Sequence, residues 1–370
     1  MRVKICTLLF LWLSAFSFSQ NKEVNKQIAY LIENNISAQD IIDSVFYEHR
    51  ENKIFLQRFL VKSKRNSYLA GKFYSFNALG RHYRDLSLFK ESITNYKKAL
   101  LISRKIKDTI YEIKTLNAIG SVYRRQDDVK NALDYHQKSL DKATTIKNPK
   151  IITKKSISIA QNSIGNIYLS LKQYRLALKE FQKAIEIQKE LDDIKGVAIN
   201  HKCFGNAHEG LGNLDGALKH YRHSLHLNNK INSRIGKVIC GYNIANILIK
   251  QTKYEQALGT VDTVLQIAIK EKDMFYLSST YNTLGLAQLH LGKLQSAKKN
   301  LTTALEIAGK FNIHTIIVKA NENLSSLFAK KRDYKKAYSY YKKAKEEGGK
   351  TLNEKNLLYA SKNFMLFISR

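Results

Sequence analysis

The chain has 370 residues, of which 44% are hydrophobic, and a formal net charge of +31 from 62 basic and 31 acidic residues. One proline and 17 glycines exclude long proline- or glycine-rich linkers, which favours sustained helix. The charge predicts attraction to anions of some kind. However, the lysines are spread along the whole chain, which is equally typical of an ordinary solvated surface.

The N-terminus has the pattern of a secretory signal peptide. Basic residues at positions 2 and 4 precede an apolar run at 5–16, and small residues follow it. This pattern predicts a signal peptide over residues 1–19, cleaved near Ser19/Gln20, and an exported protein that is periplasmic or secreted. A membrane anchor is the alternative, but the run is shorter than the roughly 20 residues a span requires. No later stretch predicts a membrane span.

A segment of about 24 residues recurs along the chain. NALGRHYRDLSLFKESITNYKKAL at 77–100 returns as NAIGSVYRRQDDVKNALDYHQKSL at 117–140 and as NSIGNIYLSLKQYRLALKEFQKAI at 162–185. Alignment places a small residue at intervals of 40, with one interval of 45. These small residues are Gly80, Gly120, Gly165, Gly205, Ala245, Gly285 and Ser325. A fixed period of this length predicts a solenoid of stacked helical units.

A second set of positions is bulky. Sixteen residues after each small residue come Tyr96, His136, Phe181, Tyr221, Val261, Leu301 and Tyr341. Small residues allow two helices to approach to about 8–10 Å, and the bulky side chain is expected to fill the groove beside that contact. The excess of five residues in one interval predicts a loop insertion around Lys147-Asn148-Pro149.

This spacing resembles the tetratricopeptide repeat (TPR), in a subclass with a period of about 40 rather than 34 residues and without the usual proline. The resemblance implies an all-α, right-handed superhelical solenoid of seven helix pairs over residues 73–348. Residues 20–72 would form an N-terminal helical cap, and 349–370 a C-terminal capping helix. Long-helix arrays behind a signal peptide look like the periplasmic sensor regions of bacterial signalling proteins.

The sequence carries no recognisable catalytic motif. It lacks a P-loop, a dinucleotide-binding glycine motif, H-E-x-x-H and G-x-S-x-G, so we predict no enzyme activity and no cofactor. His220, His223 and His226 lie at spacings of three on one predicted helix and could hold a metal or act as a pH switch. Packing and solvent-exposed roles for these histidines are the favoured alternative. Cys203 and Cys240 could pair, but buried free thiols are favoured.

The resemblance also implies that first helices line a concave groove through positions 2, 5, 9, 12 and 13. Asparagines recur at positions 5 and 9, where a side-chain amide can grip a peptide backbone. Arginines at positions 12 and 13, with Arg81 at position 9, could bind carboxylates. The predicted groove residues are Asn77, Arg81, Arg84, Asn117, Arg124, Arg125, Asn162, Asn166, Asn206, Asn246 and Asn282. In the alternative interpretation, the asparagines bond neighbouring helices and the arginines are ordinary surface.

The leading functional prediction is an exported, non-catalytic scaffold that binds a protein or peptide segment, an acidic one if the arginines take part. Its sharper form is the sensor part of a signalling protein. A polyanion-binding envelope protein is the alternative, on the basis of charge. Nucleic acid is disfavoured, because export argues against it and the basic residues lack the aromatic interleaving of a single-strand platform.

Overall fold

The computed structural model describes residues 24–36, 52–86, 88–126, 128–271 and 273–349. The predicted signal peptide and residues 350–370 of the predicted C-terminal capping helix lie outside this part of the chain. Within it, none of the helices combines the length and the apolar character that crossing a membrane would require.

The described residues form sixteen α-helices and contain no strand. Their bounds are α1 24–33, α2 Lys53–Arg65, α3 Leu69–Asp85, α4 Phe89–Lys105, α5 Thr109–Arg125, α6 Val129–Thr144, α7 Ile151–Ser170, α8 Tyr174–Glu190, α9 Ile194–Gly210, α10 Leu214–Lys230, α11 Arg234–Lys250, α12 Tyr254–Glu271, α13 Met274–His290, α14 Leu294–Lys310, α15 His314–Lys330 and α16 334–349. The predicted all-α fold is confirmed, and α3–α16 make up the seven predicted pairs.

Helix lengths are nearly uniform, and the insertion in the sequence period accounts for the main exception. Most paired helices have 17 residues, whereas α7 has 20. The connection before α7 spans six residues, 145–150, whereas the connections between the other paired helices span two or three. The five additional residues are therefore divided between a longer loop and a longer helix, rather than forming a loop alone. The first pair begins at Leu69, four residues before the start of the predicted repeats.

The chain divides into two compact units, Met1–Gln126 with Asp134–Asn148 and Asp127–Leu133 with Pro149–Arg370. The described part of the first contains α1–α5, the second contains α7–α16, and α6 contributes to both. In the second unit each second helix from α8 to α14 packs against the first helix of its own pair and against that of the next pair. Each pair therefore buries apolar surface that it could not bury alone.

In each unit the bulky side chain lies directly on the small residue of the facing helix. A Cβ atom added to Gly80 would lie 2.8 Å from the ring of Tyr96, and one added to Gly165 would lie 2.5 Å from the ring of Phe181. Both rings are essentially inaccessible to solvent. The expectation that the bulky residue fills a groove beside the contact is therefore corrected, because the ring occupies the space of the missing side chain.

Two repeats fill this contact with an aliphatic side chain instead of a ring. In the fifth repeat Ala245 and Val261 occupy the two positions, and both are fully buried. In the sixth repeat Gly285 faces the smaller Leu301, whose Cγ atom lies 2.6 Å from an added Cβ. Val261 and Leu301 are fully buried, so the contact stays closely packed without a ring.

The turns between helices use a left-handed residue in place of proline. After α4, the N–H of Lys107 donates to the carbonyl of Arg104 and that of Asp108 to the carbonyl of Ser103, the Schellman arrangement. Asp108 then caps α5, because its side chain accepts from the N–H of Tyr111. The corresponding left-handed residues at other helix ends are Ser67, Lys172, Asp192, Gly212, Asn232, Thr252, Gly292, Asn312 and Arg332.

Cys203 and Cys240, the cysteines among the described residues, are free and buried. The thiol of Cys240 donates to the hydroxyl of Ser224 at 3.2 Å, and that of Cys203 lies 3.6 Å from the amide oxygen of Asn166. Burial raises the pKa of the Cys240 thiol, which keeps it protonated. The two thiols therefore act as small packed groups and form no disulfide.

We expect Gly165→Ala to destabilise the protein by about 1–3 kcal/mol, because the new methyl group overlaps the ring of Phe181. Adding Phe181→Val imitates the natural pairing of Ala245 with Val261, so the double variant should lose less than the sum of the single losses. Urea denaturation of the four proteins gives the coupling free energy.

The control for this cycle is Gly259→Ala on α12, where an added Cβ meets no atom within 4 Å. It should stabilise the protein by up to about 1 kcal/mol through helix propensity. Equal effects of Gly165→Ala and Gly259→Ala would contradict the packing role of the glycine.

Thr252 follows α11 with a φ of 61°, a conformation that is costly for a β-branched residue. Gly212 and Gly292 hold the corresponding place in neighbouring repeats. We expect Thr252→Gly to stabilise the protein by about 1 kcal/mol, measured as a rise in melting temperature. The exposed Thr263 lies inside α12, so Thr263→Gly should lower the melting temperature. A fall in both variants would show that Thr252 bears no strain.

Candidate peptide-binding site

The predicted asparagines of the second unit lie on successive first helices. Asn162 and Asn166 are on α7, Asn206 on α9, Asn246 on α11 and Asn282 on α13. All are half-buried except Asn282, which is only 5% exposed. The repeat period therefore places one amide or two on each of four first helices.

Several of these amides bond to the next first helix. Asn162 donates from Nδ2 to Oδ1 of Asn200 at 2.7 Å, which connects α7 to α9. Thr283 donates to Oδ1 of Asn246 at 3.1 Å, which connects α13 to α11. Asn323 donates to Oδ1 of Asn282 at 3.0 Å, which connects α15 to α13. The asparagines thus have a structural role between repeats, as the alternative interpretation expects.

This structural role does not exclude ligand binding. A primary amide has two N–H donors and an oxygen with two lone pairs, so a single bond leaves capacity for others. Asn166 contacts the next repeat only weakly, because its Nδ2 donates within its own helix to the carbonyl oxygen of Asn162 at 2.8 Å and its amide oxygen meets only the Cys203 thiol at 3.6 Å. Asn166 and Asn246 are therefore suitable probes of binding at this face.

Asn206 belongs to a polar network that the sequence analysis did not predict. The hydroxyl of Tyr221 lies 2.6 Å from Oδ1 of Asn206 and 2.9 Å from Oε2 of Glu209. Nζ of Lys250 lies 2.7 Å from the other oxygen of Glu209. Burial, with Glu209 beside it, raises the pKa of the Tyr221 hydroxyl far above its usual value, so the hydroxyl remains a donor. No sequence signal distinguished this tyrosine, because Tyr96 and Tyr341 hold the same position in other repeats.

In the first unit the two predicted asparagines differ. Nδ2 of Asn77 lies 3.5 Å from the hydroxyl of Thr115 on the next first helix. Asn117 is only 5% exposed, and its Oδ1 lies 3.0 Å from Nδ1 of His136. Because that bond lies inside the repeat, replacing Asn117 would disturb the core as well as any ligand.

Arg84, Arg124 and Arg125 lie in the last turns of α3 and α5, where cations complement the helix dipole, and Arg81 lies just before the last turn of α3. Nη2 of Arg84 lies 2.8 Å from Asp85, and Nη1 of Arg125 lies 3.8 Å from the same carboxylate. Arg81, Arg124 and Arg125 are exposed. Exposed ion pairs contribute about 0–1 kcal/mol, so these guanidinium groups could engage another carboxylate with little loss of stability.

Five aromatic rings form a cluster between α9 and α10. Nδ1 of His201 lies 3.0 Å from Nδ1 of His220, and the ring of His220 stacks on those of Phe204 and His208 at centroid distances of 5.2 and 5.0 Å. The ring of His223 lies 4.1 Å from that of His201. The sequence analysis noted the histidines, but their convergence from two helices depends on the packing of the pair.

The predicted spacing does not bring His220, His223 and His226 together as a metal site. The rings of His223 and His226 are 6.5 Å apart. Across the part of the chain that the structure describes, no three or more histidine, cysteine, aspartate or glutamate residues are arranged to hold a metal ion. Burial, followed by the nearby basic side chains, instead lowers the pKa of both His201 and His220 to about 4.

Acid should therefore destabilise the protein. Because the folded-state pKa of His201 and His220 lies below the ordinary value of 6.5, the unfolded chain binds more protons between pH 6.5 and 4. The contribution of these two histidines to the free energy of unfolding is fully present above pH 6.5 and is lost as the pH falls toward 4. Buried His136 adds a further loss, which extends to about pH 3. His220→Phe should flatten the dependence of melting temperature on pH between 6.5 and 4.

The matched control for this experiment is His226→Gln, an exposed position on the same helix. It should keep the pH dependence of the unmodified protein. If His220→Phe and His226→Gln give the same profile as the unmodified protein, the ring cluster does not govern acid stability.

Comparison with known families identifies the class of protein. The tetratricopeptide repeat model matches residues 73–145, 156–230 and 237–310, which together make up more than half of the chain. The chain therefore belongs to the tetratricopeptide repeat family. A curated relative is the 43 kDa receptor-associated protein of the synapse from Tetronarce californica, 22% identical over 52% of this chain and 46% of its own length. The chain spans less than half the length of the curated relatives it matches.

Solved structures share the same helical-repeat fold. A Rap protein complexed with Competence and Sporulation Factor has a TM-score of 0.67 at 17% identity, covering 92% of this chain and 95% of that one. The Rap conjugation gene regulator of the plasmid pLS20, in complex with the Phr* peptide, has a TM-score of 0.66 at 16% identity, covering 90% and 94%. At these identities the similarity shows the fold alone.

Proposed function

We propose that this protein is a non-catalytic TPR scaffold that binds an extended protein or peptide segment. The binding face that we assign is the surface of α7, α9, α11 and α13 that carries Asn162, Asn166, Asn206, Asn246 and Asn282. The observation that carries the proposal is the recurrence of an amide on these successive first helices, half-buried on α7, α9 and α11 and only 5% exposed on α13. Amides in such a row can bond to peptide groups of any sequence. The Phr* complex of a similarly folded Rap regulator is consistent with such a role.

The charge of the chain favours an acidic segment as the ligand. The excess of 62 basic over 31 acidic residues raises the local concentration of anionic partners. A polyanion-binding envelope protein is the second candidate, and the same charge is the observation that favours it. Binding to a polyanion would fall steeply with salt, whereas amide-mediated capture would fall much less.

We also propose that the protein is exported and forms the sensor part of a signalling system. The basic, apolar and small residues of segment 1–19 support export. We expect the endogenous protein to begin at Gln20 and to occur outside the cytoplasm. N-terminal sequencing and intact mass of the protein from fractionated cells test this expectation. A cytoplasmic protein that retains Met1 or Arg2 would contradict export.

The binding proposal is tested with a random-peptide library displayed on phage and selected against the full chain. Asn166→Ala combined with Asn246→Ala should weaken binding of the selected peptides at least tenfold in calorimetry, because each variant removes an amide from the proposed face. The melting temperature of the double variant should stay close to that of the unmodified protein, since these amides make few bonds to the next helix.

The control variant is Asn229→Ala, an exposed asparagine on second helix α10. It should leave the affinity of the selected peptides unchanged. Asn117→Ala is unsuitable, because it also removes the bond to buried His136. Selected peptides that bind the double variant and the unmodified protein equally would overturn the assignment of this face.

A further inference from the structure

The last helix that the structure describes, α16, exposes a face that its counterparts bury. Tyr334, Tyr338 and Tyr341 lie four and three residues apart, so they share one face of the helix. They are 68%, 68% and 49% exposed. Tyr341 holds the bulky position of its repeat, and at that position Val261 and Leu301 are inaccessible to solvent. Packing of the seventh pair alone therefore leaves a row of tyrosines uncovered.

In the preceding repeats the next first helix covers this face. α14 packs against α13 of its own pair and against α15 of the next pair. Leu301 of α14 belongs to one core cluster with Leu324 and Leu327 of α15. α12 is covered by α13 in the same way, and Val261 and Leu284 share a cluster there. The tyrosine face of α16 therefore lies where the first helix of an eighth repeat would pack.

The sequence after α16 continues the repeat period. First helices α11, α13 and α15 begin at Arg234, Met274 and His314, at intervals of 40 residues, and each has 17 residues. One further interval gives residues 354–370, with the sequence EKNLLYASKNFMLFISR. This segment contains neither proline nor glycine, so its composition is compatible with a helix. The period therefore predicts both the start and the length of one more first helix.

The residue types of segment 354–370 match those of α15. The buried residues of α15 are Ile316, Ala320, Asn321, Leu324, Leu327 and Phe328. Forty residues later come Asn356, Ala360, Ser361, Phe364, Phe367 and Ile368. Apart from Asn356, each keeps the apolar or polar character of its counterpart. The positions that α15 exposes correspond to Glu354, Lys355, Tyr359, Lys362, Leu366, Ser369 and Arg370. In this register the segment has an apolar stripe on one face and mainly charged or polar residues on the other.

A polar contact between repeats also continues in this register. Nδ2 of Asn323 on α15 donates to Oδ1 of Asn282 on α13 at 3.0 Å. Asn363 follows Asn323 by 40 residues, and Glu322 follows Asn282 by 40. The amide of Asn363 would therefore meet the exposed carboxylate of Glu322. A charged acceptor makes this hydrogen bond stronger than one to an amide oxygen.

Charge disfavours a second copy of the chain as the cover of this face. Residues 334–349 of α16 include five lysines and two glutamates. Two identical faces would therefore bring like charges together, which costs free energy. The apolar stripe of segment 354–370 carries no charge, so it can cover the tyrosines without this cost.

We infer that residues 354–370 form the first helix of an eighth repeat and pack on the tyrosine face of α16. Phe364 and Phe367 would occupy the places beside Tyr341 that Leu324 and Leu327 occupy beside Leu301. This inference gives a register and a packing partner to a segment for which the sequence predicts only a capping helix. It does not depend on the proposed peptide binding.

Hydroxyl-radical footprinting of the full chain, read by mass spectrometry, tests this packing. The comparison is between the unmodified protein and a variant that combines Phe364→Glu with Phe367→Glu. Tyr341 should be oxidised roughly fivefold more slowly in the unmodified protein, because buried carboxylates disrupt the apolar contact and release the helix. Tyr30, which is 56% exposed on α1, reports the radical dose in each protein.

Leu366→Glu is the matched control, because its counterpart on α15, Ser326, is exposed. It should leave Tyr341 protected. Equal oxidation of Tyr341 in the three proteins overturns the inference. Release of Tyr341 by Leu366→Glu to the same extent as by the double variant also overturns it, because the segment would then pack in another register. Protection that survives the double variant and rises with protein concentration shows that a second copy covers the face, which overturns it as well.

Discussion

The structure depends on one contact, in which a large ring lies on a glycine of the partner helix. Where Phe181 covers Gly165, no space remains for even a methyl group. This contact sets how closely the two helices of a pair approach, and each pair presents its remaining apolar faces to the next pair. The 40-residue period therefore reflects the packing of the helices. Surface residues at equivalent repeat positions, such as the asparagines, are aligned in rows as a consequence.

Much of the fold could be predicted because the residues that form this contact lie at a fixed, short spacing within each repeat. The small residue, the bulky residue sixteen positions later and the uniform helix lengths recur in nearly every repeat. The turns were harder to predict, because most of them place Lys, Asp, Asn or Thr in a left-handed conformation that usually signals glycine. Thr252 gives no indication in the sequence that it ends a helix in this way.

The candidate site was predictable in position but not in detail. Asn117 and Asn162 occupy the same repeat position, yet one is buried and the other half-buried. The difference arises because His136 occupies the bulky position of its own repeat and bonds the amide of Asn117. The histidine cluster was beyond prediction for a similar reason, since rings from α9 and α10 meet only once the pair is packed.

The asparagines and the exposed isoleucines Ile159 and Ile199 would contribute differently to recognition. Asn162, Asn246 and Asn282 already bond between repeats, so a ligand that competes for those atoms must replace existing bonds and gains little net free energy. The apolar side chains of Ile159 and Ile199 form no hydrogen bonds that a ligand would have to replace. Covering their exposed surface contributes about 25 cal/mol per Å² of hydrophobic free energy. The amides would therefore fix the path of the backbone without selecting a sequence. Affinity and sequence preference would come from exposed apolar side chains of the same helices, such as Ile159 and Ile199.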